Sequence, residues 1–147
     1  MLSDYFAPGS IAIAEVADFT EAIAESGKLL QASGRVTAEY VDQMLAAVSD
    51  YGPYIVIAPG VAIAHSRPSE AVLETGLSLV KPIRAVASGH SSNDPVRLVF
   101  GLAAYDHASH IDLMKDLAAV LGNQQVMKSL LISSSIGEIR TLIASVL

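Results

Sequence analysis

The stretch Gly52-Pro53-Tyr54-Ile55-Val56-Ile57-Ala58-Pro59-Gly60-Val61-Ala62-Ile63-Ala64-His65-Ser66-Arg67-Pro68 turns the chain from helical to extended. Residues 54–58 and 61–64 are short apolar runs, and Pro59-Gly60 between them has the composition of a turn, so they read as two strands. His65 follows the second run directly, and Pro68 stiffens the loop beyond it. A side chain so placed is fixed at its base and open to a partner, as functional side chains on loops tend to be.

Upstream, residues 11–15 suggest a short strand. Asp18 and Glu21 have the spacing of a capping box for a helix that runs to Gly34, a residue suited to a left-handed stop. Thr37 opens a second helix with Val41, Leu45 and Val48 near one face, ended by Asp50, Gly52 and Pro53. Downstream, residues 75–80 form a strand candidate before Pro82, and the β-forming run 96–104 predicts a central strand covered on both faces. Ile111, Met114, Leu117 and Leu121 then keep the helical period, Gly122 and Asn123 interrupt it, and Ser135 with Glu138 makes another capping box. The final helix is expected to bury Ile136, Ile139 and either Leu142 or Ile143. No repeat, low-complexity tract or linker divides residues 1–147, which predicts a single α/β domain with a mixed β-sheet flanked by helices on both faces.

The 147 residues suffice for a core without staples, and the absence of cysteine excludes disulfides and thiolate chemistry. The first six residues lack the basic segment and apolar run of a signal peptide, so the chain reads as unprocessed. Charges such as Asp18, Asp42, Glu74 and Arg84 interrupt the apolar runs before the ~20 residues a membrane span needs, so no direct membrane insertion is expected. A net charge of -6 argues against nucleic acid and permits a basic protein partner.

Four histidines are the candidates for chemistry. His65 is the candidate nucleophile, and Ser66 and Arg67 directly after it are candidate phosphoryl-binding residues, Arg67 by its fixed charge. His110, at the start of the helix whose apolar face begins at Ile111, could hold a phosphate with the help of free backbone N–H groups there. His90 lies in a polar segment read as an exposed loop, with no role. On general grounds a strand-end histidine is more often a plain surface residue than a catalyst. His107 and His110, joined by Asp106 or His65, also leave a zinc site open, although short His-x-x-His pairs are common by chance. Nucleophile-elbow, Walker and dinucleotide-binding motifs are all missing.

The 52–68 stretch resembles the active-site segment of the mannitol/fructose type of enzyme IIA of the sugar phosphotransferase system, and Gly-Pro-Tyr-Ile-Val with Ala-Pro-Gly is most similar to the ascorbate-specific branch. Glu74-Thr75-Gly76-Leu77-Ser78-Leu79, Asn93-Asp94-Pro95-Val96, Val99-Phe100-Gly101-Leu102-Ala103-Ala104 with Asp106, and Ser109-His110-Ile111 continue the resemblance in order. It implies a cytoplasmic phosphoryl carrier in which His65 accepts phosphate from the phosphocarrier protein HPr, His110 lies beside it, and a cysteine of the cognate IIB component receives the phosphate for L-ascorbate or a related sugar. No cofactor, metal or nucleotide is implied. A IIA-like regulatory domain, read by a non-transport partner, is the alternative. Two positions depart from the pattern: Ala64 stands where many members have Pro, and the helix segment Met44-Leu45-Ala46-Ala47-Val48-Ser49 lacks the Arg of mannitol-type members. Arg67 or the helix start at His110 would then supply the compensating charge.

Overall fold

Strand alternation decides which face of the sheet each residue serves. In the computed structural model, which describes residues 2–146, the strands are β1 (Phe6–Ala14), β2 (Val56–Ala58), β3 (Val61–His65), β4 (Gly76–Pro82) and β5 (Leu98–Ala103). They form one sheet in the order β1-β4-β5-β3-β2. β1 runs parallel to β4 and β3 parallel to β5, whereas β4–β5 and β2–β3 pair antiparallel, so the sheet is mixed. The run predicted as a central strand is central, and every residue of β5 is buried. The single-domain span read from the sequence exceeds the described residues by Met1 and Leu147.

Helices cover both faces. Val61, Ile63, Leu77, Leu79, Leu98, Phe100 and Leu102 point to one core, which α3 (His107–Leu121), α4 (Gln124–Ile132) and α5 (Ile136–Ala144) close with Leu113, Leu117, Leu130, Ile139 and Ile143. Ala62, Ala64, Val80, Val99 and Ala103 point to the other, under α1 (Phe19–Ala32) and α2 (Ala38–Tyr51). Each large side chain so buried contributes about 1.5–3 kcal/mol before conformational entropy is set against it. Among the described residues no helix is long and apolar enough to cross a membrane.

Small residues, Gly101 and Ser78 of the sheet and Ser26 of α1, meet where the helix crosses the sheet, and this lets it approach closely. Ser78 Oγ donates 2.8 Å to the Ser26 carbonyl of α1, a buried hydrogen bond beside Gly101. A methyl group at Gly101 would stand 2.3 Å from Ser78 Oγ and 3.2 Å from the Ser26 carbonyl oxygen.

Caps fall where the sequence placed them. Asp18 Oδ1 accepts the Glu21 N–H at 2.9 Å, and Glu21 Oε2 accepts the Ala17 N–H at 2.9 Å. Gly34 follows α1 with φ +76°, the left-handed stop expected. Asn123 Oδ1 and Ser135 Oγ cap α4 and α5.

Several boundaries and faces differ from expectation. β1 begins at Phe6 because a register shift between Phe6 and Ile11 absorbs Pro8 and Gly9, which break the alternation. Proline is tolerated there because β1 is an edge strand. β2 is shorter than 54–58, since the Val56 N–H turns back to the Pro53 carbonyl at 3.1 Å. β5 starts at Leu98, and Val96 instead bridges Val86. Ile111 is 52% and Ile136 42% exposed, so neither belongs to the core as expected; Ile143, not Leu142, is the fully buried partner of Ile139. In both helices the buried stripe starts two or three residues later, at Leu113 and Ile139.

Gly101→Ala is expected to lower stability by about 1–3 kcal/mol, the usual cost of overpacking a filled core, as read from urea unfolding midpoints. A midpoint equal to wild type would show that α1 can move away without cost.

Candidate histidine cleft

β3 emerges from the buried sheet at its last residue, so the Val61–Ala64 backbone is held while His65 is half-buried at the rim. His65 Nδ1 lies 2.8 Å from the Ile63 carbonyl oxygen. A carbonyl only accepts, so Nδ1 must carry the proton, and Nε2 of the neutral ring is left with its lone pair. The backbone of its own strand therefore fixes both the tautomer and the orientation of the histidine.

An open cleft of 1120 Å³ lies over this ring, lined by Gln43, Ala47 and Tyr51 of α2, Tyr54 before β2, His65 to Ser69, and His107 and His110 of α3. The His65 and His110 rings are 5.3 Å apart between centroids, and Tyr54 meets His65 edge-on at 6.2 Å. The structure thus brings together His65, Ser66, Arg67 and His110, the residues read as phosphoryl-binding, with His107 beside them. His90 stands apart from them: half-buried itself in a loop whose Gly89, Ser91 and Ser92 are exposed, it clips that loop together, its Nδ1 accepting the backbone N–H groups of Ser92 and Asn93, both at 3.1 Å.

His110 is not at the helix start but on the fourth residue of α3, one turn in. The N-terminal N–H groups expected to face a phosphate are partly occupied, because Asp106 Oδ1 accepts the Ser109 N–H at 2.8 Å. Hydrogen bonds from the Ser109 side chain and backbone hold the Asp106 carboxyl below its ordinary range. His110 Nδ1 is buried without a hydrogen-bond partner among the described residues, so the ring can address the cleft only through its other nitrogen. Burial first, and then the neighbouring His65 and His107, lower the pKa of His110 and favour its neutral form.

α2 contributes no cation to the cleft, as its sequence foretold, and Arg67 is the one cationic side chain among the described lining residues. Among the described residues no group of three or more histidine, aspartate or glutamate side chains is arranged to hold a metal ion.

Tyr40 of α2 escaped the sequence reading. It is completely buried, and its hydroxyl accepts the Ser66 N–H at 2.9 Å while donating to the Leu102 carbonyl at 2.7 Å, with the Ser66 carbonyl at 3.2 Å. The available signal was its place beside Val41 and Met44 on the buried stripe, where a tyrosine needs a partner for its hydroxyl.

Residues 4–146 match the family described as phosphoenolpyruvate-dependent sugar phosphotransferase system, EIIA 2. A mannitol-specific cryptic phosphotransferase enzyme IIA component of Escherichia coli is 35% identical over 135 residues, 91% of each chain. The solution structure of the Escherichia coli enzyme of that name superposes with a TM-score of 0.88 at 32% identity over 98% of both chains. An ascorbate-specific EIIA component of Escherichia coli is 40% identical over 97 residues, 66% of this chain and 63% of that one. The Escherichia coli mannitol IIA solved in complex with its phosphorylated IIB superposes with a TM-score of 0.82 at 27% identity, over 95% of this chain and 96% of that one. With a matching fold, a match along almost its whole length and a histidine cleft at the end of β3, the chain belongs to the EIIA 2 family of sugar phosphotransferase components.

Proposed function

We propose that this chain is a cytoplasmic phosphoryl carrier that accepts phosphate from phospho-HPr on Nε2 of His65 and passes it to a cysteine of a IIB component serving L-ascorbate or a related sugar. The observation that carries the reading is the Nδ1–H bond to the Ile63 carbonyl, which leaves Nε2 as the nucleophile in an open cleft beside a second histidine. Neutral imidazole forms covalent intermediates, and phosphoryl transfer asks of the protein mainly positioning and stabilisation of the equatorial oxygens. In the forward step the Nε2 lone pair bonds to phosphorus as the bond to the donor's histidine nitrogen breaks; onward transfer reverses this with the acceptor thiolate attacking.

His110 stabilises the phosphoryl group from one side through its cleft-facing nitrogen, and Arg67 provides fixed charge. Ser66 lines the cleft, and its backbone is held from below. A IIB partner is supported by the phosphorylated IIB bound to the related mannitol IIA. The ascorbate-specific relative and the 52–68 motif support the substrate.

Given phosphoenolpyruvate, enzyme I and HPr, the chain should gain one acid-labile, base-stable phosphoryl group by intact mass, and His65→Ala should gain none. His110→Ala should still be phosphorylated, but roughly ten- to a hundredfold more slowly, the worth of one hydrogen bond to a charged group. Full phosphorylation of His65→Ala would overturn the assignment. A rapid-quench rate for His110→Ala equal to wild type would remove that residue from the mechanism.

Because folding lowers the His110 pKa, the unfolded chain binds more protons there once the pH falls towards the unfolded value near ~6.5. Stability should therefore decline as the pH falls through the unfolded value towards the depressed folded one, and His110→Asn should flatten part of that decline in urea midpoints. An unchanged slope would show that burial does not hold His110 neutral.

A further inference from the structure

The parallel ladder between β3 and β5 ends in an irregular way just below the cleft. Leu98 N–H bonds the Gly60 carbonyl at 3.0 Å, and Leu98, Phe100 and Leu102 pair with Val61, Ile63 and His65. In a parallel ladder with this rhythm the bond after the His65–Leu102 pair runs from the Ser66 N–H to the Leu102 carbonyl. That bond is replaced by a side chain: the Tyr40 hydroxyl stands between the two groups, accepting from Ser66 at 2.9 Å and donating to Leu102 at 2.7 Å.

We propose that Tyr40 is a positioning residue, which splices its hydroxyl into the end of the β3–β5 ladder, parts the two strands there and so sets the seat of His65. The inference rests on the carrier reading for its kinetic consequence only. A direct ladder bond would draw Ser66 onto β5; with the hydroxyl between them the chain leaves the sheet at Ser66 and turns over the cleft towards Pro68. The ring is anchored, since Tyr40 is completely buried in the α2 core with Val36, Met44 and Ile55. Burial pushes its hydroxyl pKa up to about 12, so the donor to Leu102 persists at any working pH. His65 Nδ1 then finds the Ile63 carbonyl because the residue after it is held by its N–H, which the Tyr40 hydroxyl accepts at 2.9 Å.

Tyr40→Phe removes the splice and keeps the ring. In this variant the kcat for phosphate uptake from phospho-HPr should fall about tenfold with KM unchanged, because the docking surface outside is untouched. Long-range ¹H–¹⁵N spectra should show the single Nδ1–H tautomer of wild-type His65 giving way to a mixture. Ile139→Val, a core change on the opposite face of the sheet, controls for lost stability and should keep both wild-type values. If Tyr40→Phe matches Ile139→Val in kcat and tautomer, or raises KM alone, Tyr40 is only a packing residue and the proposal fails. Should the variant not fold, hydrogen exchange of the wild-type Ser66 amide decides: protection comparable to the β3 amides is expected, and rapid exchange overturns the splice. A tautomer shift in Tyr40→Phe, with no phosphate taken up by wild type, would sustain the positioning role and sink the carrier reading instead.

Discussion

The parallel pairing of β3 with β5 is the constraint from which the rest of the molecule follows. Because β5 sits in the middle of the sheet and is buried on both faces, helices must cover both sides, and the two apolar cores are sorted by the alternation of its residues. Parallel strands end at the same side of the sheet, so β3 delivers His65 to the edge where β5 turns into the Asp106-capped helix that carries His110. The 5.3 Å approach of the two imidazoles is therefore a consequence of strand direction, with no long loop needed to bring them together.

The site built on that edge carries little fixed charge. The Ile63 carbonyl holds Nδ1 of His65, burial disfavours a charge on His110, and Arg67 is the one guanidinium among the described lining residues. A carrier has to give up what it takes. A cleft with dense positive charge would hold the phosphoryl group in the ground state as firmly as in transfer, which accelerates nothing. The α2 segment that lacks arginine is in keeping with this, since Gln43 and Ala47 face the cleft there.

The fold was legible where local rules and tertiary demands agree. The β-rich run around Phe100, the capping residues Asp18 and Ser135, and the left-handed stop at Gly34 all gave their elements correctly. Errors arose where tertiary context overrides pattern. The edge position of β1 tolerates Pro8 and Gly9 within a strand, and Ile111 and Ile136 in the first turns of their helices stay exposed despite their periodicity. His65, Ser66, Arg67 and His110 were named from the sequence, His65 from its place after an apolar strand and the others from their neighbourhood or the family resemblance, and the structure brings them into one cleft. The Tyr40 hydroxyl was not legible, because its partners lie far along the chain, whereas the Asp106 cap has the same spacing to Ser109 as Asp18 has to Glu21 and was passed over.

In the proposed carrier role the Ile63 carbonyl, by holding Nδ1, makes Nε2 of His65 the atom that carries phosphate. ¹⁵N-labelled protein phosphorylated by HPr and examined by long-range ¹H–¹⁵N and phosphorus-coupled NMR tests it directly. One phosphorus–nitrogen coupling is expected, at Nε2 of His65, with Nδ1 still protonated. Phosphate on Nδ1 of His65, or on a nitrogen of His107 or His110, would contradict it.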